Sequence, residues 1–171
     1  MQFAKDSFYM ALRDRLAALN PNRTVTLSGA TRPAVIVAEN ELVIPIEPLP
    51  DAFYLEWGAA KAVAHHCGYP PLMEMACTIS HHTFGTCDSA IDRGRTLAAL
   101  DSELLSICQV AHTAKRDYTT SPSVDLGTSI FWLGPFFGDI SGSEGRNGGS
   151  MDVRLERKAT VRVFFFPEVG L

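Results

Sequence analysis

The chain has 171 residues, of which 46% are hydrophobic and 20% are charged, and its formal net charge at pH 7 is −4. This length and composition predict a single globular domain, residues 1–171, that is large enough to bury its own core. The acidic balance argues against specific nucleic-acid binding, and the lack of any run of about 18 apolar residues argues against a membrane span. The N-terminal segment has no apolar signal-peptide core, so we expect a cytoplasmic protein whose four cysteines are reduced thiols.

The first part of the chain predicts a helix followed by short strands. Apolar side chains recur every three or four residues over residues 3–19, which is typical of an amphipathic helix. Two β-type segments, 24–27 and 34–38, lie on either side of a Ser-Gly turn. Prolines confine a further possible strand, 41–46, to the edge of a sheet.

The middle of the chain predicts two strands, a second helix and a loop. Residues 51–69 are compatible with a helix or a strand, and the run Phe-Tyr-Leu-Glu-Trp favours a strand. Residues 72–84 alternate in polarity, which predicts a strand with one buried face. The strongest helical pattern covers residues 92–112, with apolar spacings of three and four. A polar loop over residues 113–127 then leads to a strand over residues 128–140.

The last predicted strand, residues 151–166, is the longest. One of its faces is apolar and the other is charged, and Arg157 interrupts the apolar face, which predicts a β-bulge. Sixteen extended residues span roughly 50 Å, so the outer part should project from the domain, paired with the 128–140 strand. Residues 141–150 hold four glycines and three serines, which predicts a mobile hairpin tip. The polar side chains of this tip are Ser143, Glu144, Arg146 and Asn147.

This order of elements predicts an α+β fold. We expect a mostly antiparallel β-sheet with two helices packed on one face and a long projecting C-terminal β-hairpin. The charged face of the last strand mixes both signs, and Phe164 should lie exposed beside it. Such a face is typical of a subunit interface in which charges set the register, and also of a solvated sheet surface. The candidate interface residues are Arg154, Glu156, Lys158, Arg162 and Phe164.

Histidines and cysteines cluster between residues 65 and 87, and both residue types bind zinc. Cys77 and His81 share one face of the predicted strand, so His65, Cys77 and His81 form a candidate metal site. Their spacing matches no zinc motif, which favours solvent-facing histidines and buried structural thiols instead.

A nucleophile and its base could also come from one helix face. Cys108 and His112 are four residues apart within the predicted helix. A small core residue beside a histidine at the helix end is the simpler explanation. We therefore predict no catalytic residues, no metal and no cofactor.

Several segments in succession carry a family resemblance. The helix FAKDSFYMALRDRLAAL precedes short strands around TVTL and PAVIVAEN, and the helix DRGRTLAALDSELLSIC precedes a glycine-rich loop and the strand DVRLERKATVRVFFF. This order resembles the tail terminator and minor tail proteins of long-tailed bacteriophages and prophages. The chain is long for that family, with its extra length in residues 65–82 and 113–127.

The resemblance implies a structural, non-enzymatic protein with an α+β fold. It implies assembly into a hexameric ring at the end of a tail tube, with other tail or head-connector proteins as partners. The expected location is the bacterial cytoplasm during assembly and afterwards the virion tail. Two alternatives stay open: a zinc-binding module or small hydrolase that uses the histidines and cysteines of residues 65–87, and a small-ligand binding domain.

Overall fold

The computed structural model of the chain describes residues 1–40, 48–64, 68, 70–86, 91–147 and 150–168. Within these ranges it has two α-helices, nine β-strands and one 3-10 turn. The elements are α1 Gln2–Leu19, β1 Thr24–Leu27, β2 Ala30–Pro33, β3 Val35–Val37, the 3-10 turn Ala38–Asn40, β4 Phe53–Ala64, β5 Leu72–Thr83, α2 Asp92–Cys108, β6 His112–Asp117, β7 Val124–Phe137, β8 Ser141–Asn147 and β9 Ser150–Phe165.

One large sheet organises the fold. Its strands run in the order β3-β4-β5-β9-β7-β6, with β8 also paired to β9, and every pairing in it is antiparallel except that of β3 with β4. The hairpin of β1 and β2 forms a separate two-stranded sheet. The predicted α+β fold with a mostly antiparallel sheet is therefore confirmed.

Both helices lie on the same face of the large sheet, which we call the covered face. The aromatic ring of Phe8 in α1 meets Trp132 of β7 and Trp57 of β4, with centroid distances of 5.1 and 5.6 Å. Alternate residues of β9 point to this face, and the helices contribute the apolar stripes that the sequence predicts. The buried stripes are Ala4, Phe8, Leu12 and Leu16 in α1, Leu97, Leu100, Leu104 and Ile107 in α2, and Ala159, Val161, Val163 and Phe165 in β9.

The predicted C-terminal arm is present, but β8 pairs its outer part. Residues 155–165 pair with β5, whereas residues 150–156 pair with β8. The strand predicted over 128–140 to pair along the arm is β7, Val124–Phe137, and it pairs instead with the inner residues 159–164. The predicted boundaries of the hairpin tip, residues 141–150, were therefore wrong, since its first seven residues form the strand β8. Ladder pairing needs only backbone groups, so the long β9 edge supports a strand of glycine and polar residues.

The predicted bulge at Arg157 was wrong, because the irregularity lies in the neighbouring strand. The register of β9 against β5 is unbroken, whereas β7 shifts between Leu133 and Phe136. Gly134 sits in this shift at φ +109, where a Cβ atom would lie 2.7 Å from the carbonyl oxygen of Thr160. The bulge turns Leu133 and Phe136 to the same face, although they are three positions apart and an unbroken strand would place them on opposite faces.

The second helix ends earlier than its apolar pattern indicates. It stops at Cys108, and residues 112–117 form β6 where a polar loop was predicted. The guanidinium of Arg15 donates to the carbonyl oxygens of Ile107 and Val110 at 2.9 and 2.6 Å. The indole of Trp132 donates to the carbonyl oxygen of Cys108 at 3.0 Å. These distant donors satisfy the last carbonyls of the helix and so allow the chain to turn into a strand.

The remaining sequence predictions differ mainly in their boundaries. The segment predicted as a strand over 34–38 is β3, and the short strand β2 before it was not predicted. The ambiguous segment 51–69 contains a strand, β4, which confirms the favoured interpretation. The possible strand over 41–46 lies outside the described residues.

Candidate functional site

The second face of the large sheet, which we call the open face, carries the predicted interface residues. No helix among the described residues covers it. Alternation along β9 places its even-numbered side chains there, on the face opposite the buried residues Ala159, Val161, Val163 and Phe165. The interface residues on this face are Arg154, Glu156, Lys158, Arg162 and Phe164.

An apolar strip runs along β7 on the open face. Phe131, Leu133 and Phe136 are 41%, 50% and 55% exposed. In the ladder they stand beside Phe164, Arg162 and Thr160 of β9. Leu133 also lines a groove of about 460 Å³ between the bulge and the end of α2. The sequence offered one signal for this strip: residues 130–133 are apolar at every position, and not only at alternate ones.

Phe164 was predicted to be exposed, and this was wrong. Its exposed fraction is 8%, because the ring of Phe131 stacks on it with a centroid distance of 5.0 Å and an interplanar angle of 9°. The guanidinium of Arg162 lies 5.5 Å from the ring centroid on the same face. Phe164 therefore forms the floor of the strip, and Phe131 presents the accessible ring.

The charges beside the strip pair within the chain. The guanidinium of Arg162 donates to both carboxylate oxygens of Glu74 at 2.8 and 2.7 Å. Hydrogen bonding to Arg162 holds the pKa of Glu74 below its usual value. The ammonium of Lys61 lies 3.7 Å from the same carboxylate. Arg162, Glu74 and Lys61 thus form a polar border beside the apolar strip.

The other end of the open face holds a cleft of about 230 Å³, which we call the His82 cleft. The ring of His82 is 4% exposed, and burial with the nearby Arg154 lowers its pKa to about 4. The guanidinium Nε of Arg154 contacts Ser143 Oγ at 2.7 Å and Glu156 Oε2 at 3.3 Å. The lining residues are Pro48, Tyr54, Ser80, His81, His82, Arg154, Glu156, Arg157 and Lys158.

His81, a predicted metal ligand, is part of a polar cluster that joins α2 to the sheet. Its Nε2 lies 2.8 Å from Asp101 Oδ1, and the Nη1 of Arg157 donates to Asp101 Oδ2 at 2.6 Å. Burial lowers the pKa of His81, although the hydrogen bond to Asp101 opposes this. The cluster explains how Arg157 fits on the covered face without a bulge.

The candidate metal site is not assembled in the described part of the chain. Cys77 and His81 share a face as predicted, but Cys77 is fully buried in the core and burial raises the pKa of its thiol. No group of three or more potential metal ligands lies together among the described residues. His65 lies outside them.

Cys108 and His112 do not form a helical pair, because Cys108 ends α2 and His112 begins β6. Burial raises the pKa of the Cys108 thiol to about 12, which keeps the sulfur protonated and unreactive at neutral pH. Cys108 is therefore a small residue of the core, which agrees with the simpler of the two explanations given in the sequence analysis.

The predicted tip residues divide between the base of the arm and its end. Ser143 in β8 donates to Glu156 Oε2 at 3.2 Å and accepts from Arg154, so it belongs to the His82 cleft region. Glu144 is exposed and pairs across the ladder with Val153. The side chains of Arg146 and Asn147 lie outside the described part of the structure.

The comparisons with known proteins name no relative. No protein-family model matches the chain, and a search of curated proteins gives no match. Among the described residues, neither helix has the length and hydropathy needed to cross a bilayer.

Proposed function

We propose that this chain is a structural, non-enzymatic subunit that self-associates through its open face. By the resemblance of its sequence to tail terminators, the assembly would be a hexamer-type ring at the end of a phage or prophage tail tube. Its further partners would be other tail or head-connector proteins. The observation that carries the proposal is the exposed apolar strip on a sheet face that no described helix covers.

The strip has the chemistry of an interface core. Phe131, Leu133 and Phe136 are each about half exposed, next to one another, and bordered by ion pairs. Burying the exposed half of such a side chain contributes about 1 kcal/mol at roughly 25 cal/mol per Å². An aromatic and aliphatic centre within a polar border is the usual arrangement in protein interfaces.

The charged stripe of β9, formed by Arg154, Glu156, Lys158 and Arg162, keeps the role that the sequence suggested, which is to set the register of the interface. Arg162 pairs with Glu74, and Arg154 contacts Glu156, within one chain. Exposed charges of both signs at the border of a patch add little affinity but select the orientation of the partner. In the proposed assembly, apolar contacts provide the affinity and the stripe sets the register.

The arm supplies a second contact. Within the described residues, β8 pairs with β9 and with no other strand, which leaves its outer edge open over Ser141–Asn147. An open edge is a ready site for strand addition from a neighbouring copy. The arm thereby extends the reach of each subunit beyond its own core.

Native mass spectrometry over a range of protein concentrations tests this proposal. We expect a closed oligomer, or a ladder of oligomers that grows with concentration, without bound metal. A monomer at the highest soluble concentration would contradict self-association. A monomer that carries stoichiometric zinc would instead favour the metal-binding alternative.

Deletion of residues 143–148 separates the arm from the core. We expect the shortened chain to keep the circular dichroism spectrum and unfolding transition of a folded domain, because the covered face is intact. Its distribution of oligomers should shift toward the monomer. Loss of the folded domain would show that the arm is part of the core and would overturn its proposed role.

A further inference from the structure

His82, one of the residues that line the cleft, has a buried polar atom without a partner in the described part of the chain. His82 is 4% exposed, and its Nε2 makes no hydrogen bond within the described residues. Its ring packs edge-on against Phe84 with a centroid distance of 5.7 Å. A buried polar atom left unsatisfied is costly, so native structures usually provide it with a protein, water or ligand partner.

We infer that the His82 cleft binds a small oxyanion, a ligand that carries a phosphate or carboxylate group. In its Nε2–H tautomer, His82 would donate a hydrogen bond to such a ligand. The hydroxyl of Tyr54 accepts the backbone N–H of Leu49, so its own proton is left to donate. The hydroxyl of Ser80 lies on the same wall and is the ladder partner of both Tyr54 and Lys158.

The charges around the cleft favour an anion. Two cations whose side chains lie on the open face, Arg154 and Lys158, line it against one carboxylate, which belongs to Glu156. That carboxylate is already engaged, since it accepts from Ser141 Oγ at 3.3 Å and from Ser143 Oγ at 3.2 Å. The backbone of Arg157 also borders the cleft, but its side chain lies on the covered face, where it donates to Asp101 at 2.6 Å.

The size of the cleft limits the ligand. A volume of about 230 Å³ corresponds to the liquid volume of about eight water molecules. Drug-sized ligands and nucleotides occupy pockets of roughly 300 Å³ or more. The cleft therefore fits inorganic phosphate, a short carboxylic acid or a single phosphate group. The inference does not rest on the proposed self-association, because every donor belongs to one chain.

Isothermal titration calorimetry with inorganic phosphate, on the full chain at pH 7 and constant ionic strength, tests the inference. We expect saturable binding of one phosphate per chain. Lys158→Gln removes an exposed cation of the lining and should weaken binding about tenfold, as expected for one lost charge-assisted hydrogen bond. His82→Phe keeps an aromatic ring in the pocket and should weaken binding to a similar degree.

Arg95→Gln is the matched control, because it removes one positive charge from an exposed position on α2 outside the cleft. Its affinity for phosphate should equal that of the wild type. A parallel titration with acetate distinguishes the two ligand sources, since the tighter of the two anions identifies the group that the cleft selects. The inference is overturned if neither anion binds saturably, or if Arg95→Gln weakens binding as much as Lys158→Gln.

Discussion

The two faces of the same sheet differ in what their side chains do. Along β9, Val161 and Val163 are fully buried on the covered face, while Arg162 between them lies on the open face in an ion pair. The covered face gains its stability from helices of this chain. The open face offers apolar and charged groups that no described helix covers. One strand thus carries both the fold and the surface that we propose for assembly.

The polar groups of the two faces also differ. On the covered face, Asp101 joins His81 and Arg157 through one carboxylate. On the open face, the neighbouring His82 leaves Nε2 without a partner in the described residues. In the first arrangement both carboxylate oxygens of Asp101 have partners within the chain, so we interpret it as structural. The second lacks a partner, so we interpret it as a place for a ligand.

The largest effect should come from the centre of the covered face. Leu104 is fully buried in α2, so Leu104→Ala should lower the free energy of unfolding by about 2–5 kcal/mol. Urea denaturation followed by circular dichroism measures this change. Leu105→Ala, at the next and exposed position, is the control and should cost less than about 0.5 kcal/mol. Equal costs for both variants would show that the helix face is assigned wrongly.

The polar cluster should have the next largest effect. Asp101→Ala leaves His81 and Arg157 without their shared carboxylate, which should cost about 2–3 kcal/mol in the free energy of unfolding. Asp101→Asn keeps the shape and one hydrogen bond and should cost less. Chemical denaturation of the three proteins side by side measures the order. If Asp101→Ala is as stable as the wild type, the cluster does not hold α2 to the sheet.

The bulge that builds the strip should depend on its glycine. Gly134→Ala places a methyl group against the Thr160 carbonyl at an unfavourable positive φ, so we expect a loss of about 1–3 kcal/mol. Gly94→Ala is the matched control, since that glycine lies in α2 with open space around it. It should stabilise the helix by up to about 1 kcal/mol. Thermal unfolding compares the pair, and a neutral Gly134→Ala would contradict the strained bulge.

Acidification should weaken the domain through its buried imidazoles. The pKa of His82 is about 4 and that of His81 is also lowered, both by burial, whereas an unfolded histidine titrates near 6.5. Below about 6.5 the unfolded chain therefore binds more protons than the folded one, and stability falls as the pH falls. Each histidine contributes at most about 1.4 kcal/mol per pH unit. Urea midpoints at pH 7, 6 and 5 measure the slope, and a flat profile would contradict two buried neutral histidines.

The sequence predicted the covered face better than the open face. Periodicity located both helices and the strands over 72–84 and 151–166, because a single buried face leaves a clear pattern. It missed the end of α2 at Cys108, which depends on donors from Arg15 and Trp132 far away in the chain. It placed the bulge on the wrong strand, because the accommodation of Arg157 by Asp101 is a contact between distant residues.

The candidate site was predicted only in part. Alternation correctly brought Arg154, Glu156, Lys158 and Arg162 onto one face. Partners of these charges lie on β5 and β8. The spacing of residues along β9 could not predict them. The apolar strip depends on the register shift at Gly134, which places the side chain of Phe136 on the same face of the sheet as that of Leu133. A local pattern does not reveal such a shift.

The central claim is that the open face drives self-association, and sedimentation velocity on two matched variants tests it most directly. Leu133→Lys places a charge in the middle of the strip, and Leu19→Lys places one at the end of α1, at positions that are 50% and 49% exposed. Both should unfold within about 0.5 kcal/mol of the wild type. The account predicts that Leu19→Lys assembles like the wild type and that Leu133→Lys stays monomeric. Assembly of Leu133→Lys to the wild-type extent would contradict it.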